Sequence, residues 1–199
     1  TIREGQSEFV RTAYRTLSRG GCLYATAPTG TGKTVSAIYP ALRALGDGRV
    51  EKVFYLTPKT TTAEAARECL ELMAERGAII RAVILTAKDK ICPEGNLCRR
   101  SYKLCKRSAN NKLAEAALAL SAMAKTVIDF NDLRQVGTRY SVCPHELSLT
   151  YAEICDVVIC DLNYLFDPAV YIRRFFTVET QKCLERYIMP IAYHVFTTF

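Results

Sequence analysis

A glycine-rich segment that ends in Gly-Lys-Thr offers the clearest chemistry in this sequence. Residues 27–34 are APTGTGKT, and Gly30 and Gly32 allow the backbone N–H groups to turn toward a bound anion. The Lys33 ammonium can reach the β- and γ-phosphates of a nucleotide, and the Thr34 hydroxyl can ligate Mg²⁺. Both are therefore candidate catalytic residues. The predicted phosphate contacts are Thr29, Gly30, Thr31, Gly32, Lys33 and Thr34.

A glutamine precedes this loop on the first predicted helix. Gln6 lies 27 residues before Lys33. A glutamine amide can pair with adenine, because its oxygen accepts from the amino group and its nitrogen donates to a ring nitrogen. From the spacing alone, an exposed helical glutamine is the better interpretation.

Four of the nine cysteines form a second candidate site. Cys92, Cys98, Cys105 and Cys143 are separated by five, six and 37 residues. Structural zinc sites usually contain closely spaced cysteine pairs, and none occurs here. The wider spacing, with a proline after Cys143, favours an iron–sulfur cluster over zinc, and free thiols are a third option. The other five cysteines are expected to be small buried thiols: Cys22, Cys69, Cys155, Cys160 and Cys183.

The positive charge of the chain is concentrated around these cysteines. The net charge is +7, and residues 88–112 contain eight Lys and Arg against two Asp and Glu, a net +6. A solvated basic loop is the ordinary explanation for such a run. The alternative is a cluster-stabilised element that contacts nucleic-acid phosphates.

Length and composition limit the class of protein. The chain has 199 residues, of which 49% are hydrophobic and 24% charged, as in a globular protein of one domain or slightly more. No apolar run is long enough to cross a bilayer, and the first residues do not form a signal peptide. We expect a trimmed, cytoplasmic, monomeric protein that does not bind membranes.

Alternating strands and helices must position the two candidate sites. Hydrophobic periodicity predicts helices at residues 6–18, 33–45, 61–75 and 111–124, and strands at 22–26, 53–56, 79–85 and 156–160. This order predicts an α/β fold in which helices cover both faces of a parallel sheet. The predicted organisation is residues 1–87 as the first part of the domain, an insertion at 88–145, a return at 146–176, and an atypical tail at 177–199.

Several sequence blocks in this order resemble the XPD/DinG-type iron–sulfur helicases of superfamily 2, in particular their bacterial branch. Ala27 replaces the usual first glycine of the phosphate loop, as these helicases allow. The matching blocks are 3–6 (REGQ), 27–34, 55–60 (YLTPKT), 90–93 (KICP), 143–149 (CPHELSL) and 156–168 (DVVICDLNYLFDP).

The resemblance implies a RecA-like domain of an ATP- and Mg²⁺-dependent helicase that moves 5′ to 3′ on single-stranded or forked DNA. It implies that Gln6 contacts adenine and that Lys59 and Thr60 lie near the DNA backbone. It also implies a [4Fe–4S] cluster, held by Cys92, Cys98, Cys105 and Cys143. Tyr102 and Tyr164 could stack on bases, although ordinary packing also explains them.

The sequence departs from this family in its catalytic carboxylates. The family uses an Asp-Glu-x-His box for Mg²⁺ and the attacking water, and this chain has no Asp-Glu pair. The family block assigns Asp161 to another motif. We therefore expect this chain to be an N-terminal fragment that binds nucleotide weakly and hydrolyses it poorly, with a frameshifted or truncated tail.

Two other classes of protein fit the same residues. The first is a non-catalytic nucleotide- and DNA-binding module with a basic loop held by an iron–sulfur or zinc centre. The second is a phosphate-loop enzyme of unrelated chemistry that contains a structural zinc ion.

Overall fold

The fold is known from a computed structural model that describes residues 5–26, 30–57, 60–93 and 111–166. In these ranges the elements are α1 (Gln6–Arg19), α2 (Lys33–Gly46), β1 (Val53–Thr57), α3 (Thr60–Glu75), β2 (Ala82–Ile84), α4 (Lys88–Ile91), α5 (Leu113–Ser121), β3 (Val127–Ile128), α6 (Phe130–Arg139), α7 (Pro144–Ile154), β4 (Val157–Asp161) and α8 (Asn163–Phe166).

The four described strands form one sheet in the order β1-β4-β2-β3. β2 and β3 pair in parallel, with Ala82 opposite Val127 and Val83 opposite Ile128. All five residues of β1 are buried, as expected for a strand covered on both faces. The α/β prediction with a parallel sheet flanked by helices is confirmed.

The chain divides into two compact units. The first contains the described parts of Thr1–Ala78 and Ile159–Phe199, and the second is Ile79–Val158. In the first unit α2 packs against α1, α3 and β1. In the second unit α5, α6 and α7 pack against one another, and α7 also contacts α4 and β2. No helix in the described part of the chain is both long and apolar enough to cross a bilayer.

The strand predicted before the phosphate loop is absent from the structure. Residues 22–26 are all described, and none of them lies in a strand. The side chains of Leu23 and Tyr24 are 38% and 92% exposed. A strand forms only where a neighbour satisfies its backbone N–H and C=O groups, and an apolar run does not by itself supply that neighbour.

Two other segments also differ between the prediction and the structure. The strand predicted at 79–85 shortens to β2, and Ile79 is fully exposed. Residues 125–140, for which the sequence predicts no helix or strand, contain β3 and α6. The Asp129 side chain accepts from the N–H groups of Asn131 and Asp132, and the Asp132 side chain accepts from the Asp129 N–H, which forms a capping box. Because β3 lies at one edge of the sheet, the segment predicted as an insertion at 88–145 contributes a strand to the sheet.

Candidate functional site

The described part of the phosphate loop, residues 30–34, contains two glycines with left-handed backbone. Gly30 and Gly32 adopt φ values of +78° and +77°, the left-handed region that only glycine enters without strain. α2 begins directly afterwards at Lys33, and its first turn has no acidic residue. The N–H groups at the start of α2 and its partial positive charge thus favour a phosphate group. Thr29 lies outside the described residues.

Gln6 lies against this loop. Its Nε2 donates to the Ser36 Oγ at 3.0 Å, and the Ser36 Oγ donates to the Gly32 carbonyl at 2.9 Å. A Cβ on Gly32 would lie 3.0 Å from the Gln6 Nε2. The interpretation of Gln6 as an exposed helical residue is therefore wrong. Sequence reasoning missed Ser36, although its position four residues after Gly32 places it over the loop on the same turn of helix.

A second contact fixes α1 on α2. The Tyr14 hydroxyl donates to Asp47 Oδ2 at 2.7 Å, and the Arg43 Nε donates to the same oxygen at 3.0 Å. The hydrogen bond from Tyr14, together with the charge of Arg43, lowers the pKa of Asp47 below its usual value. Gln6 contacts the start of α2, and Tyr14 contacts its end, so the two helices run in the same direction.

Asp161 ends β4 and is exposed. Its Oδ1 accepts from the Asn163 N–H at 2.9 Å, at the start of α8. This bond is a local turn interaction of the kind that aspartate commonly makes after a strand. Tyr164, considered above as a base-stacking residue, is only 9% exposed, so the packing explanation is the better one.

Two of the four predicted cluster ligands are described, and both lie in the second unit. Cys92 follows α4, Cys143 precedes α7, and these two helices pack against each other. Burial raises the pKa of the Cys143 thiol, whereas the N–H groups of Glu146 and His145 and the Lys88 ammonium act in the opposite direction. Cys98 and Cys105 lie outside the described residues. Among residues that are described, no three His, Cys, Asp or Glu side chains form a metal-binding group.

The segment 137–144, which we call the cysteine turn, holds Cys143 by close packing. A Cβ on Gly137 would lie 2.9 Å from the Pro144 Cγ and 3.2 Å from the Val142 carbonyl oxygen. Ser141 adopts φ +55°, and the Val142 N–H donates to the Gly137 carbonyl at 2.9 Å. The backbone direction into Cys143, which is 3% exposed, is therefore tightly constrained.

One face of α6 is polar and basic, a feature that sequence reasoning missed. The Arg134 guanidinium lies 5.3 Å from the centroid of the Phe130 ring, and that of Arg139 lies 6.0 Å from the Tyr140 ring. The exposed positions of this helix contain no carboxylate. They are Asn131, Arg134, Gln135, Thr138 and Arg139. Hydrogen-bond donors and arginine–aromatic pairs of this kind suit contacts with nucleic acid.

The remaining predicted site residues have simple placements. Lys59 lies outside the described residues, and Thr60 is the first residue of α3. Cys69, Cys155 and Cys160 are buried, as predicted, but Cys22 is exposed, because the strand expected to bury it does not form. Tyr102 and Cys183 also lie outside the described residues.

Two helicase family models match the sequence. The DEAD_2 model matches residues 59–184, and the DEAD/DEAH box helicase model matches residues 3–103. The chain belongs to the XPD/DinG-type superfamily 2 helicases. The two matches overlap and together take in the phosphate loop, the cysteine turn and β4.

Known relatives of this helicase family support the assignment. The chain is similar to regulator of telomere elongation helicase 1 homologs of Anopheles gambiae, at 30% identity over 129 residues, and Drosophila grimshawi, at 26% over 180 residues. These alignments cover 59% and 84% of this chain, but 13% and 18% of the relatives. A solved XPD helicase superposes with a TM-score of 0.66 at 19% identity, over 94% of this chain and 32% of that one. This likeness confirms the RecA-like fold, and the chain spans under a fifth of its insect relatives.

Proposed function

We propose that the protein is an ATP-dependent DNA helicase that moves 5′ to 3′ on single-stranded or forked DNA. This chain would supply the ATP-binding half of the first motor domain and a cysteine-rich insertion. The observation that carries the proposal is the pair of left-handed glycines at the start of α2, with Gln6 bonded beside them. Family membership supports the helicase activity. The bacterial branch remains a prediction.

The residues around the phosphate loop would bind ATP in distinct ways. The N–H groups between Gly30 and Gly32 would donate to the phosphate oxygens. Lys33 would neutralise the β- and γ-phosphates, and Thr34 would orient a Mg²⁺ ion. Gln6 would pair with adenine. ATP supplies the phosphoanhydride bond whose hydrolysis drives movement along DNA.

Turnover in this family depends on an Asp-Glu-x-His box, and this sequence contains no Asp-Glu pair. Hydrolysis requires an acidic Mg²⁺ ligand and a group that orients the attacking water. The chain has no Asp-Glu pair, and the Asp161 carboxylate makes a local turn bond. We therefore propose that the chain by itself binds ATP but hydrolyses it poorly. Steady turnover stimulated by single-stranded DNA would contradict this proposal.

The DNA contacts would come from both units. Lys59 and Thr60 would contact the strand backbone in the first unit. In the second unit the arginines of α6, each stacked on a ring, would add cationic donors, which bind phosphates without regard to base sequence. Binding is therefore expected to weaken steeply as salt is raised.

The four cysteines would hold a [4Fe–4S] cluster. The placement of the two described cysteines supports this proposal, since Cys92 directly follows α4, Cys143 directly precedes α7, and these two helices pack together. The cluster would add a covalent link between segments distant in sequence. Anaerobic purification tests the assignment. Brown protein that contains iron would support the cluster, and colourless protein that contains zinc would contradict it.

The central experiment measures nucleotide binding by the chain and by a Lys33→Ala variant. Loss of the ammonium removes charge-assisted hydrogen bonds, so we expect the affinity for a fluorescent ATP analogue to fall by about 10- to 100-fold. Arg43→Ala is the matched control. It removes a cation from the same helix, where Arg43 pairs with Asp47, and should leave affinity nearly unchanged. Equal affinity in the wild type and Lys33→Ala would contradict ATP binding at this loop.

A further inference from the structure

We infer that the outer face of α1 binds the phosphate backbone of a nucleic-acid strand, at a site separate from the phosphate loop and from the DNA contacts proposed above. The site is formed by Arg11, Arg15 and Arg19, which we call the arginine row. These residues recur at every fourth position of α1, so they follow one another along one side of the helix. The inference goes beyond the proposed helicase activity, and it does not depend on ATP binding.

The exposed positions of α1 are dominated by the arginine row. They are Ser7, Glu8, Arg11, Arg15 and Arg19. Three guanidinium groups and one carboxylate give this face a net charge of +2. Glu8 lies in the first turn, where it complements the partial positive charge of the helix N-terminus. The rest of the exposed face is therefore purely cationic.

The arginine row is not paired within the first unit. By contrast, Arg43 of α2 pairs with Asp47, and Arg67 of α3 pairs with two glutamates of its own helix. Across the described ranges of the chain, no hydrogen bond or ion pair involves the guanidinium groups of the row. Asp47 is the carboxylate through which α2 contacts α1, and it already accepts from Tyr14 and Arg43. The row therefore keeps its charge for another partner.

The stability of α1 does not explain the arginine row. Like charges four residues apart on a helix repel each other, and the row contains two such pairs. Arg19, in the last turn, gains from the partial negative charge of the helix C-terminus, but Arg11 and Arg15 lie too far from that end. The row therefore destabilises the free helix, and a bound polyanion would relieve the repulsion.

The geometry of the row suits a chain of phosphates. At 1.5 Å per residue, the three Cα positions follow at steps of about 6 Å in a row about 12 Å long. Phosphates also recur at short, regular intervals along a nucleic-acid strand, and one guanidinium group can donate two hydrogen bonds to one phosphate. The bonds of Gln6 and Tyr14 fix α1 on α2, so the row is presented by a helix that is held in place.

The composition of the face favours nucleic acid over an acidic protein. Protein interfaces depend on aromatic and aliphatic side chains that become buried at their centre. No exposed position of α1, a helix that is described in full, carries such a side chain. Binding to phosphates without regard to base sequence needs only cations and hydrogen-bond donors, which the row and the Ser7 hydroxyl provide.

The test measures the binding of a fluorescein-labelled, single-stranded oligothymidylate by fluorescence anisotropy over a range of salt concentrations. Arg11→Gln/Arg15→Gln/Arg19→Gln should lose about 10- to 30-fold in affinity at low salt, about two- to threefold for each lost phosphate contact. The slope of log affinity against log salt should become shallower by about 2, because each contact with a single strand contributes about 0.7. Glutamine and arginine have similar helix propensities, so the melting temperature should not fall.

The matched control is Arg43→Gln/Arg49→Gln/Arg76→Gln, which removes three exposed arginines of the first unit that lie outside α1. It changes the net charge by the same amount, and we expect it to lower the affinity by less than about threefold. Both triple variants should bind a fluorescent ATP analogue as the wild type does. If the arginine-row variant melts at a lower temperature, Arg15→Gln replaces it, with an expected loss of about two- to threefold.

Each alternative explanation gives a different result. Equal losses in the two triple variants would indicate an effect of net charge and overturn the inference, as would an unchanged affinity or salt slope in the arginine-row variant. Polyglutamate that displaces the oligonucleotide as well as unlabelled oligothymidylate does, at the same concentration of charge, would assign the row to acidic proteins and also overturn it. Wild type that binds the oligonucleotide through the row but binds no ATP analogue would support this inference and contradict the proposed function.

Discussion

The phosphate loop and the cysteine turn both depend on glycine, but for different physical reasons. At Gly30 the backbone is left-handed and a Cβ would meet nothing within 4 Å, so the requirement is conformational. At Gly137 the backbone is helical, and a Cβ would lie 2.9 Å from the Pro144 Cγ, so the requirement is space. In the phosphate loop glycine permits a backbone conformation, whereas in the cysteine turn its missing side chain permits close packing beside Cys143. Substitutions in the phosphate loop should affect nucleotide binding, and substitutions in the cysteine turn should affect the stability of the fold.

The largest expected difference is in thiol reactivity. Cys22, just before the phosphate loop, is exposed, whereas Cys69 is buried, and burial raises its pKa to about 11. At pH 8 the thiolate fraction of Cys69 is on the order of one in a thousand. We expect iodoacetamide to label Cys22 at least about 100-fold faster than Cys69, as measured by peptide mass spectrometry.

The pH dependence of this labelling has a definite sign. Labelling of Cys69 in the folded chain should rise about tenfold per pH unit between pH 8 and 10. Because its folded pKa exceeds the unfolded value of about 8.5, its contribution to stability is present below that pH and lost as the pH rises toward 11. Equal labelling of both cysteines at pH 8 would contradict the burial.

Gly137→Ala should destabilise the fold. The added methyl group meets a proline ring and a backbone oxygen, and such overpacking costs about 1–3 kcal/mol, partly offset by a helix propensity gain of about 1 kcal/mol. We expect a net loss of up to about 2 kcal/mol in denaturant unfolding.

The companion variant tests the cause. Pro144→Ala removes the nearest atom of the collision, so the Gly137→Ala/Pro144→Ala pair should lose less stability than the sum of the single variants. If the stability losses of the two single variants simply add in the double variant, the Pro144 ring is not what the added methyl group at residue 137 collides with.

Gly32→Ala should weaken ATP binding by about 5- to 30-fold. A side chain in the left-handed region costs about 1–2 kcal/mol, which the loop can relieve only by leaving the conformation that would bind phosphate, and this side chain would also displace the Gln6 amide. Gly48→Ala is the matched control, because its φ of +65° carries the same strain without any atom within 4 Å of the added Cβ. The control should lose stability but retain ATP affinity. Equal ATP affinities in Gly32→Ala and Gly48→Ala would show that Gly32 has no specific role in ATP binding.

Ser141→Gly should give the smallest effect, a gain of about 0.5 kcal/mol in unfolding free energy. Glycine relieves the left-handed strain at φ +55° but costs entropy in the unfolded chain, and the two terms nearly cancel. Ser141→Ala keeps the strain and should be less stable than Ser141→Gly. A loss of stability in Ser141→Gly would show that the serine side chain outweighs the strain.

Contiguous motifs could be predicted from the sequence, and contacts between distant residues could not. The phosphate loop is specified by eight consecutive residues, and β1 is a continuous apolar run that predicts a buried strand. Ser36 was missed because its role depends on a partner 30 residues away. The helix α6 was not predicted, because its sequence is largely polar. The capping box at Asp129 was the one local signal that indicated a helix there.

The wrong strand at residues 22–26 illustrates a different limit. Apolar residues favour burial, but pairing depends on which backbone groups come alongside in three dimensions. The same limit applies to Cys22, whose predicted burial depended on that strand. The [4Fe–4S] assignment remains a prediction, because two of its four cysteines lie outside the described residues.

The parallel packing of α1 and α2 has an electrostatic consequence. Each helix carries a partial charge of about +0.5 at its N-terminus, and the bond between Gln6 and Ser36 brings these two like ends together. Glu8 offsets part of this charge in α1, but the first turn of α2 has no such carboxylate. The two positive N-termini repel each other, and under the proposed ATP binding a polyphosphate at this end would neutralise both dipoles. Nucleotide should therefore tighten the contact between the helices as well as fill the loop.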